Sequence, residues 1–252
     1  MPVKLLNNQP LVAVLSLLLL LGCWQILALS LHTPVLPEPV KVGAVFWEAV
    51  VSGELPYHLG ITLRRLLLSF SIAMLLGCAI GIGLGRYRTL NAFFDNWLVI
   101  FLNVPALVTI ILCYVWFGLE EWAAILAVVI NKLPNVVVTL REGARTLDKD
   151  LLEMAESYRL GRRKTFLHII WPQLHPFVMT ATRSGLALIW KIILVVELLG
   201  RSNGMGYQLH LFFQLFDVAS LLAYTLAFVG VIQVIEILIL KPLDRRALRW
   251  RR

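Results

Sequence analysis

Six long apolar stretches constrain this chain more than any other feature of its sequence. Of its 252 residues, 59% are hydrophobic and only 15% are charged, and the mean hydropathy is +0.81. A helix needs about 20 apolar residues to cross a hydrocarbon core. The stretches run from Leu11 to Leu31, Leu66 to Leu84, Trp97 to Leu119, Trp122 to Leu140, Phe177 to Leu199 and Val218 to Leu240. The sequence therefore predicts an all-α membrane protein, with six transmembrane helices in a single domain over residues 1–252.

Basic residues cluster at alternate ends of these predicted spans. Arg86 and Arg88 follow the second span, seven basic residues lie between the fourth and fifth, and six follow the last. With an even number of spans, these clusters and Lys4 fall on one side, which the positive-inside rule makes the cytoplasm. We expect both termini to be cytoplasmic. The net charge of +8 then reflects topology rather than nucleic-acid binding.

The cysteines and histidines do not predict a metal site or a cofactor. Cys23, Cys78 and Cys113 lie in apolar spans without metal-type spacing, and the five histidines are scattered along the chain. Gly22 and Cys23 resemble a lipoprotein cleavage box, but the apolar run continues beyond them, which favours an uncleaved first helix. The chain also lacks a Walker A sequence. Any coupled ATP hydrolysis must therefore come from another subunit.

Glycines and prolines shape the first half of the chain. The segment from His32 to Leu63 contains four prolines, so we expect an outer-face segment that is not one continuous helix. Apolar residues within 42–50 predict a short amphipathic helix there. Pro105 is expected to loosen the third span locally. Small residues at four-residue spacing in the second span predict the close approach of another helix. They are Gly77, Gly81 and Gly85.

The most distinctive polar segment lies between the fourth and fifth spans, from Glu153 to Pro172. It resembles the EAA loop of ABC-importer permeases, whose pattern is E-A-A, three residues, G, nine residues, I, one residue and L-P. The matching positions are Glu153, Met154, Ala155, Ile169, Trp171 and Pro172. Arg159 stands where the family has its glycine, and Gly161 comes two residues later. We therefore expect a turn that is shifted or restructured.

The resemblance implies that residues of about 145–172 form coupling helices that dock on a separate ATPase subunit. It gives this role to Glu153, Met154, Ala155, Glu156, Arg159, Gly161 and Pro172. Glu153 and Glu156 are three residues apart and share a helical face, while basic residues follow at 162–164. Without the matched spacing, an ordinary solvated loop would be the simpler interpretation.

Three further runs resemble the nitrate/sulfonate/taurine permease subfamily: residues 58–65, residues 103–106, and residues 197–200 with 204–207. The resemblance implies the type I ABC importer permease fold in a bacterial inner membrane. It also implies a periplasmic solute-binding protein and a second permease copy, which together serve a small anionic solute. No enzyme activity or cofactor is implied for this chain. An ion-gradient secondary transporter or channel is the alternative, since it shares the apolar spans and buried charges but has no need of the EAA spacing.

Few ionisable residues lie within the predicted spans, where such residues commonly face a bundle interior or a water-filled path. Arg183 and Lys191 fall near one helical face, about 12 Å apart along the axis. We predict that a solute path is lined by Lys132, Arg183, Trp190, Lys191 and Glu197. In the alternative, both lysines pair with Glu197 or with carbonyls, and Arg183 reaches toward the cytoplasm.

Overall fold

Helices account for all the regular structure in the part of the chain that can be described. The computed structural model describes residues 9–31, 33, 35–240 and 242. The helices are α1 Gln9–Leu31, α2 Pro39–Val51, α3 Glu54–Arg86, α4 Arg88–Asn103, α5 Ala106–Phe117, α6 Glu121–Arg145, α7 Lys149–Ser157, α8 Gly161–Thr165, α9 Trp171–Gly200, α10 Met205–Gln214 and α11 Val218–Ile235. Two π-helical turns, Phe166–Ile170 and Glu236–Leu240, precede α9 and follow α11.

Four helices among the described residues are long and apolar enough to cross a membrane. They are Val14–Leu31, Glu54–Arg86, Glu121–Arg145 and Val218–Leu238. These helices carry the predicted first, second, fourth and sixth spans, and the bent pair α4–α5 makes a fifth crossing if it counts as one span. The predicted fifth span lies within α9, which is 30 residues long. The all-α membrane architecture with about six spans is confirmed. Lys4 and the basic cluster from Lys241 to Arg252 lie outside the described residues.

The predicted third span is not one helix. Helix α4 ends at Asn103 and α5 begins at Ala106, with 97° between their directions. Pro105 cannot donate a backbone hydrogen bond and disfavours helical backbone in the residue before it. Val104 is accordingly extended, with φ −69° and ψ 123°. The local loosening that was predicted at Pro105 is therefore a sharp bend between two separate helices.

The segment that was predicted to precede the second span is largely helical. Helix α2 covers the predicted amphipathic stretch and ends at Val51, and Gly53 changes the chain direction with a φ of +82°. Helix α3 then begins at Glu54, twelve residues before the predicted start of the second span at Leu66. Pro56 lies in its first turn, where the missing N–H has no helical partner to lose. The first turns of α3 therefore add His58, Thr62 and Arg65 to the bundle.

The glycine stripe of α3 packs against α6, as predicted. A Cβ at Gly77 would lie 2.5 Å from a methyl carbon of Val136, and one at Gly81 would lie 2.7 Å from the carbonyl oxygen of Val137. A Cβ at Gly85 would lie 2.5 Å from the Cβ of Ala144. Side chains at these positions would push the helices apart. Helix α9 packs on this pair, and its buried Ile189 and Ile193 lie in the main core cluster.

Candidate coupling segment and transport pathway

The polar segment between α6 and α9 contains two short helices. Helix α7 begins after Asp148, whose carboxylate Oδ1 accepts hydrogen bonds from the backbone N–H groups of Asp150 at 2.9 Å and Leu151 at 3.3 Å. Aspartate is a preferred N-cap because it satisfies N–H groups that have no helical partner. The side chain of Gln173 in α9 accepts a further bond from the Asp148 N–H at 2.9 Å. The start of α7 is thus fixed by both its cap and α9.

Helix α7 ends at Ser157, two residues before Arg159, the position where the resembled family has glycine. The Leu160 N–H bonds to the Ala155 carbonyl, and the Arg159 N–H bonds to the Glu156 carbonyl, both at 3.0 Å. These two bonds form a Schellman motif, whose left-handed residue is usually glycine. Arg159 takes this conformation with a φ of +51°. The turn is therefore not shifted to Gly161, which is also left-handed, with a φ of +74°, and begins α8.

The charged side chains of this segment are exposed. Glu153, Glu156 and Arg159 face solvent, as do the basic residues 162–164. Among the described residues these side chains form no ion pair. Met154 and Tyr158 are exposed beside them, whereas Ala155 is buried. Met, Tyr and Arg are enriched at protein–protein interfaces, and exposed charges can pair with complementary charges of a partner.

The second helix of the segment continues into α9 without a loop. Helix α8 leads into the π-helical turn Phe166–Ile170, which leads directly into α9. Pro172 lies in the first turn of α9 and Pro176 lies inside it. π-Helical turns occur mostly as single-turn bulges within longer α-helices, frequently at functional sites. The polar segment is therefore joined end to end with α9, the longest helix of the core after α3.

Three of the predicted path residues line one cavity of about 270 Å³ between α9 and α11. Arg183, Trp190 and Lys191 lie on its α9 wall, and the Lys191 Nζ is 5.4 Å from the centroid of the Trp190 ring. Gln233 and Glu236 line the facing wall. Two cationic groups and one carboxylate give the lining a net positive charge. The structure thus brings Arg183 and Lys191 onto one face of α9.

Lys132 lies away from this cavity. Its side chain is 2% exposed, and its Cε lies 3.0 Å from the position that a Cβ on Gly185 would occupy. Gly185 is about 200° around α9 from Ala187, which lines the cavity, so Lys132 packs behind the helix. Its ammonium has no carboxylate within ion-pair distance in the described part of the chain.

Glu197 also lies away from the cavity and pairs with neither lysine. It is completely buried, and its Oε1 accepts a hydrogen bond of 2.7 Å from Nη1 of Arg65, which is 2% exposed. The Oγ1 of Thr62 donates to the same carboxylate, and so does the backbone N–H of Gly206 at 2.9 Å. The alternative in which Glu197 pairs with Lys132 or Lys191 is therefore wrong.

Arg65 extends this arrangement to α6 and to the turn after α9. Its Nη2 donates to Oε2 of Glu121, the first residue of α6, at 2.8 Å, and its Nη1 donates to the Asn203 carbonyl at 2.9 Å. Arg201 pairs with the same Glu121 at 3.0 Å. We call this set the corner network. Its members are Thr62, Arg65, Glu121, Glu197, Arg201 and Asn203. Sequence reasoning missed it, because its partners are up to 138 residues apart along the chain.

Comparison with known proteins agrees with the geometry. Residues 73–247 match the family described as the inner membrane component of binding-protein-dependent transport systems. A protein of Escherichia coli named as an aliphatic sulfonates transport permease, SsuC, is 33% identical over 190 residues, which covers 75% of this chain and 72% of that relative.

Two further relatives cover most of the chain. The taurine transport system permease protein TauC of Escherichia coli is 26% identical over 257 residues, covering 97% of this chain and 91% of TauC. The nitrate import permease protein NrtB of Synechocystis is 26% identical over 208 residues, covering 79% of this chain and 74% of NrtB. The family match favours the importer over the secondary transporter or channel. The chain belongs to the binding-protein-dependent transport system inner membrane components, the ABC-importer permeases of the type I fold.

Proposed function

We propose that this protein is the permease subunit of an ATP-driven importer and that residues 145–172 are its docking surface for the ATPase. The observation that carries this proposal is the exposed, unpaired charge of α7 and α8, joined without a loop to α9. Movement of a docked ATPase would displace α8, and the continuous helix would transfer that displacement into the bundle. Glu153, Met154 and Glu156 supply the first contact surface, while Arg159 and Gly161 set the angle between α7 and α8.

The solute is a small anion that passes the cavity between α9 and α11. Three relatives are named for aliphatic sulfonates, taurine and nitrate, and a sulfonate group or nitrate carries negative charge. Arg183 and Lys191 offer charge-assisted hydrogen bonds to such a group, and Trp190 restricts the opening. Glu236 on the facing wall keeps the site from holding the anion too tightly. Lys132 and Glu197 do not line this cavity, so the proposed path does not include them.

The partners follow from the same arrangement. One chain supplies one wall of basic residues, so a second copy is needed to enclose the path. A periplasmic solute-binding protein delivers the anion at the end of the bundle opposite the coupling segment. This orientation places both termini in the cytoplasm. Reporter fusions after Arg252 test it: cytoplasmic reporters should be active, and activity of periplasmic reporters alone would reverse the topology.

Reconstitution in proteoliposomes tests the function. The permease alone should not hydrolyse ATP, whereas the complex with ATPase and loaded binding protein should hydrolyse ATP and accumulate the anion. Lys191→Gln should raise the transport KM about tenfold or more, since a hydrogen bond to a charged group contributes about 1.5–3 kcal/mol. Lys41→Gln, an exposed lysine of α2, is the matched control and should leave the KM unchanged. ATP-independent accumulation by the permease alone would contradict the proposal.

A further inference from the structure

The helix that leaves the coupling segment ends in the corner network. From Gly161 to Gly200 the backbone is helical throughout, a length of about 60 Å at 1.5 Å per residue. Its first end carries the exposed charges of α8. Its last turn carries Glu197, which is completely buried. One continuous element therefore joins the coupling segment to a cluster of internal ion pairs.

Glu197 holds the start of the next helix directly. Its carboxylate accepts the N–H of Gly206 in the first turn of α10, and Thr62, bonded to the same carboxylate, accepts the N–H of Met205 at 2.8 Å. Acidic groups suit a helix N-terminus because its first N–H groups have no partners within the helix. The contact leaves no room for a side chain, since a Cβ on Gly204 would lie 2.4 Å from the Glu197 carboxyl carbon.

Arg65 ties the same carboxylate to α3 and α6. Its guanidinium bonds Glu197, Glu121 and the Asn203 carbonyl at once, so three helices and the α9–α10 turn share one side chain. Arg65 and Arg201 balance the charges of Glu121 and Glu197. A buried ion pair contributes little net stability compared with well-packed apolar residues of similar volume. Its hydrogen bonds are directional, however, and they fix the helices that carry the two residues relative to one another.

We propose that Arg65 and Glu197 are positioning residues of the transport cycle: they fix the far end of α9 to α3, α6 and α10, so that displacement of the coupling segment moves the α9–α10 corner as one unit. This inference rests on the proposed coupling function. The corner is where α9 turns back toward α10, on the side from which the binding protein delivers solute. Its position decides whether a loaded binding protein stimulates hydrolysis.

Two variants of the reconstituted transporter test this role. Glu197→Gln keeps the side-chain shape and one acceptor oxygen but removes the charge. The double variant Arg65→Met with Glu197→Leu replaces the pair by apolar side chains of similar volume, which a merely structural role tolerates. Arg64→Gln is the matched control, because Arg64 also bonds Glu121 but is 63% exposed.

Both corner variants should assemble with the ATPase and keep the unstimulated rate of hydrolysis. Stimulation by loaded binding protein should fall at least about fivefold, the low end of coupling between distant sites. Arg64→Gln should keep full stimulation. Unchanged stimulation in either corner variant, or loss of assembly in both, would overturn the inference. Failure of the unmodified complex to transport would instead refute the proposed function, so the two failures are distinguishable.

Discussion

The two ends of the α8–α9 helix use charge in opposite ways. At the coupling end, Glu153, Glu156 and the basic residues 162–164 are exposed and form no ion pairs among the described residues. At the far end, Arg65 and Glu197 are buried and bonded to several partners each. Exposed unpaired charge is available to another protein, whereas buried paired charge fixes the positions of helices within this one. The same residue types therefore imply an interface at one end and internal positioning at the other.

The largest expected effect is on stability at the corner. Glu197→Ala should lower the free energy of unfolding by about 3–5 kcal/mol, because it leaves the Arg65 guanidinium buried without one of its counter-charges. Arg64→Ala should cost no more than about 1 kcal/mol, as expected for an exposed pair. Thermal unfolding in detergent micelles compares the two variants directly. Similar losses of unfolding free energy in both variants would contradict the claim that burial gives the Arg65–Glu197 pair its structural weight.

The two ends also differ in how far sequence reasoning reached them. The coupling segment is contiguous in the chain, so its spacing and its acidic helical face were readable as local patterns. The corner network joins α3, α6 and α9 through residues such as Arg65 and Glu197, which are 132 positions apart. No local periodicity encodes that pairing. The available signals were an arginine just before the predicted second span and Glu197 within the fifth, which sequence reasoning assigned to a solute path.

Two backbone irregularities, at Pro105 and Arg159, were predicted in position but not in geometry. Pro105 predicted a weak point in the third span but not the 97° angle between α4 and α5, nor the contacts of α5 with α6 and α9. Arg159 raised the question of a shifted turn, and the hydrogen bonds of residues 158–160 answer it by keeping the family's position with a left-handed arginine. The sequence thus located both irregularities without giving their geometry.

The coupling turn provides the next largest effect. Gly161→Ala should cost about 1–2 kcal/mol, because its φ of +74° strains any residue with a Cβ. Arg159→Gly should stabilise by up to about 1 kcal/mol, since relief of similar strain exceeds the entropic cost of glycine, about 0.5–1 kcal/mol. A Cβ at Gly161 would meet no neighbouring atom within 4 Å, and Arg159 is exposed, so unfolding measurements report mainly backbone strain. A destabilising Arg159→Gly would show that the Arg159 side chain makes a stabilising contact.

The smallest expected effect concerns the start of α7. Asp148→Ala removes the N-cap and should cost about 1 kcal/mol. Lys149→Ala, an exposed neighbour, should change stability by less than about 0.5 kcal/mol. Hydrogen exchange of the Asp150 and Leu151 amides checks this locally, because these are the groups that Asp148 protects. Equal exchange rates of these amides in the parent and in Asp148→Ala would show that Asp148 does not stabilise the start of α7.

Charge reversal of Glu153 tests the central claim, that residues 145–172 couple this permease to an ATPase. Glu153→Lys should insert and fold normally, because an exposed charge changes stability by less than about 0.5 kcal/mol. Glu48→Lys, an equal reversal at an exposed position of α2, is the control and should transport normally. Transport, ATP hydrolysis and complex assembly should be measured together in membranes. The account predicts that Glu153→Lys uncouples transport from hydrolysis, and normal solute-stimulated transport by this variant would contradict it.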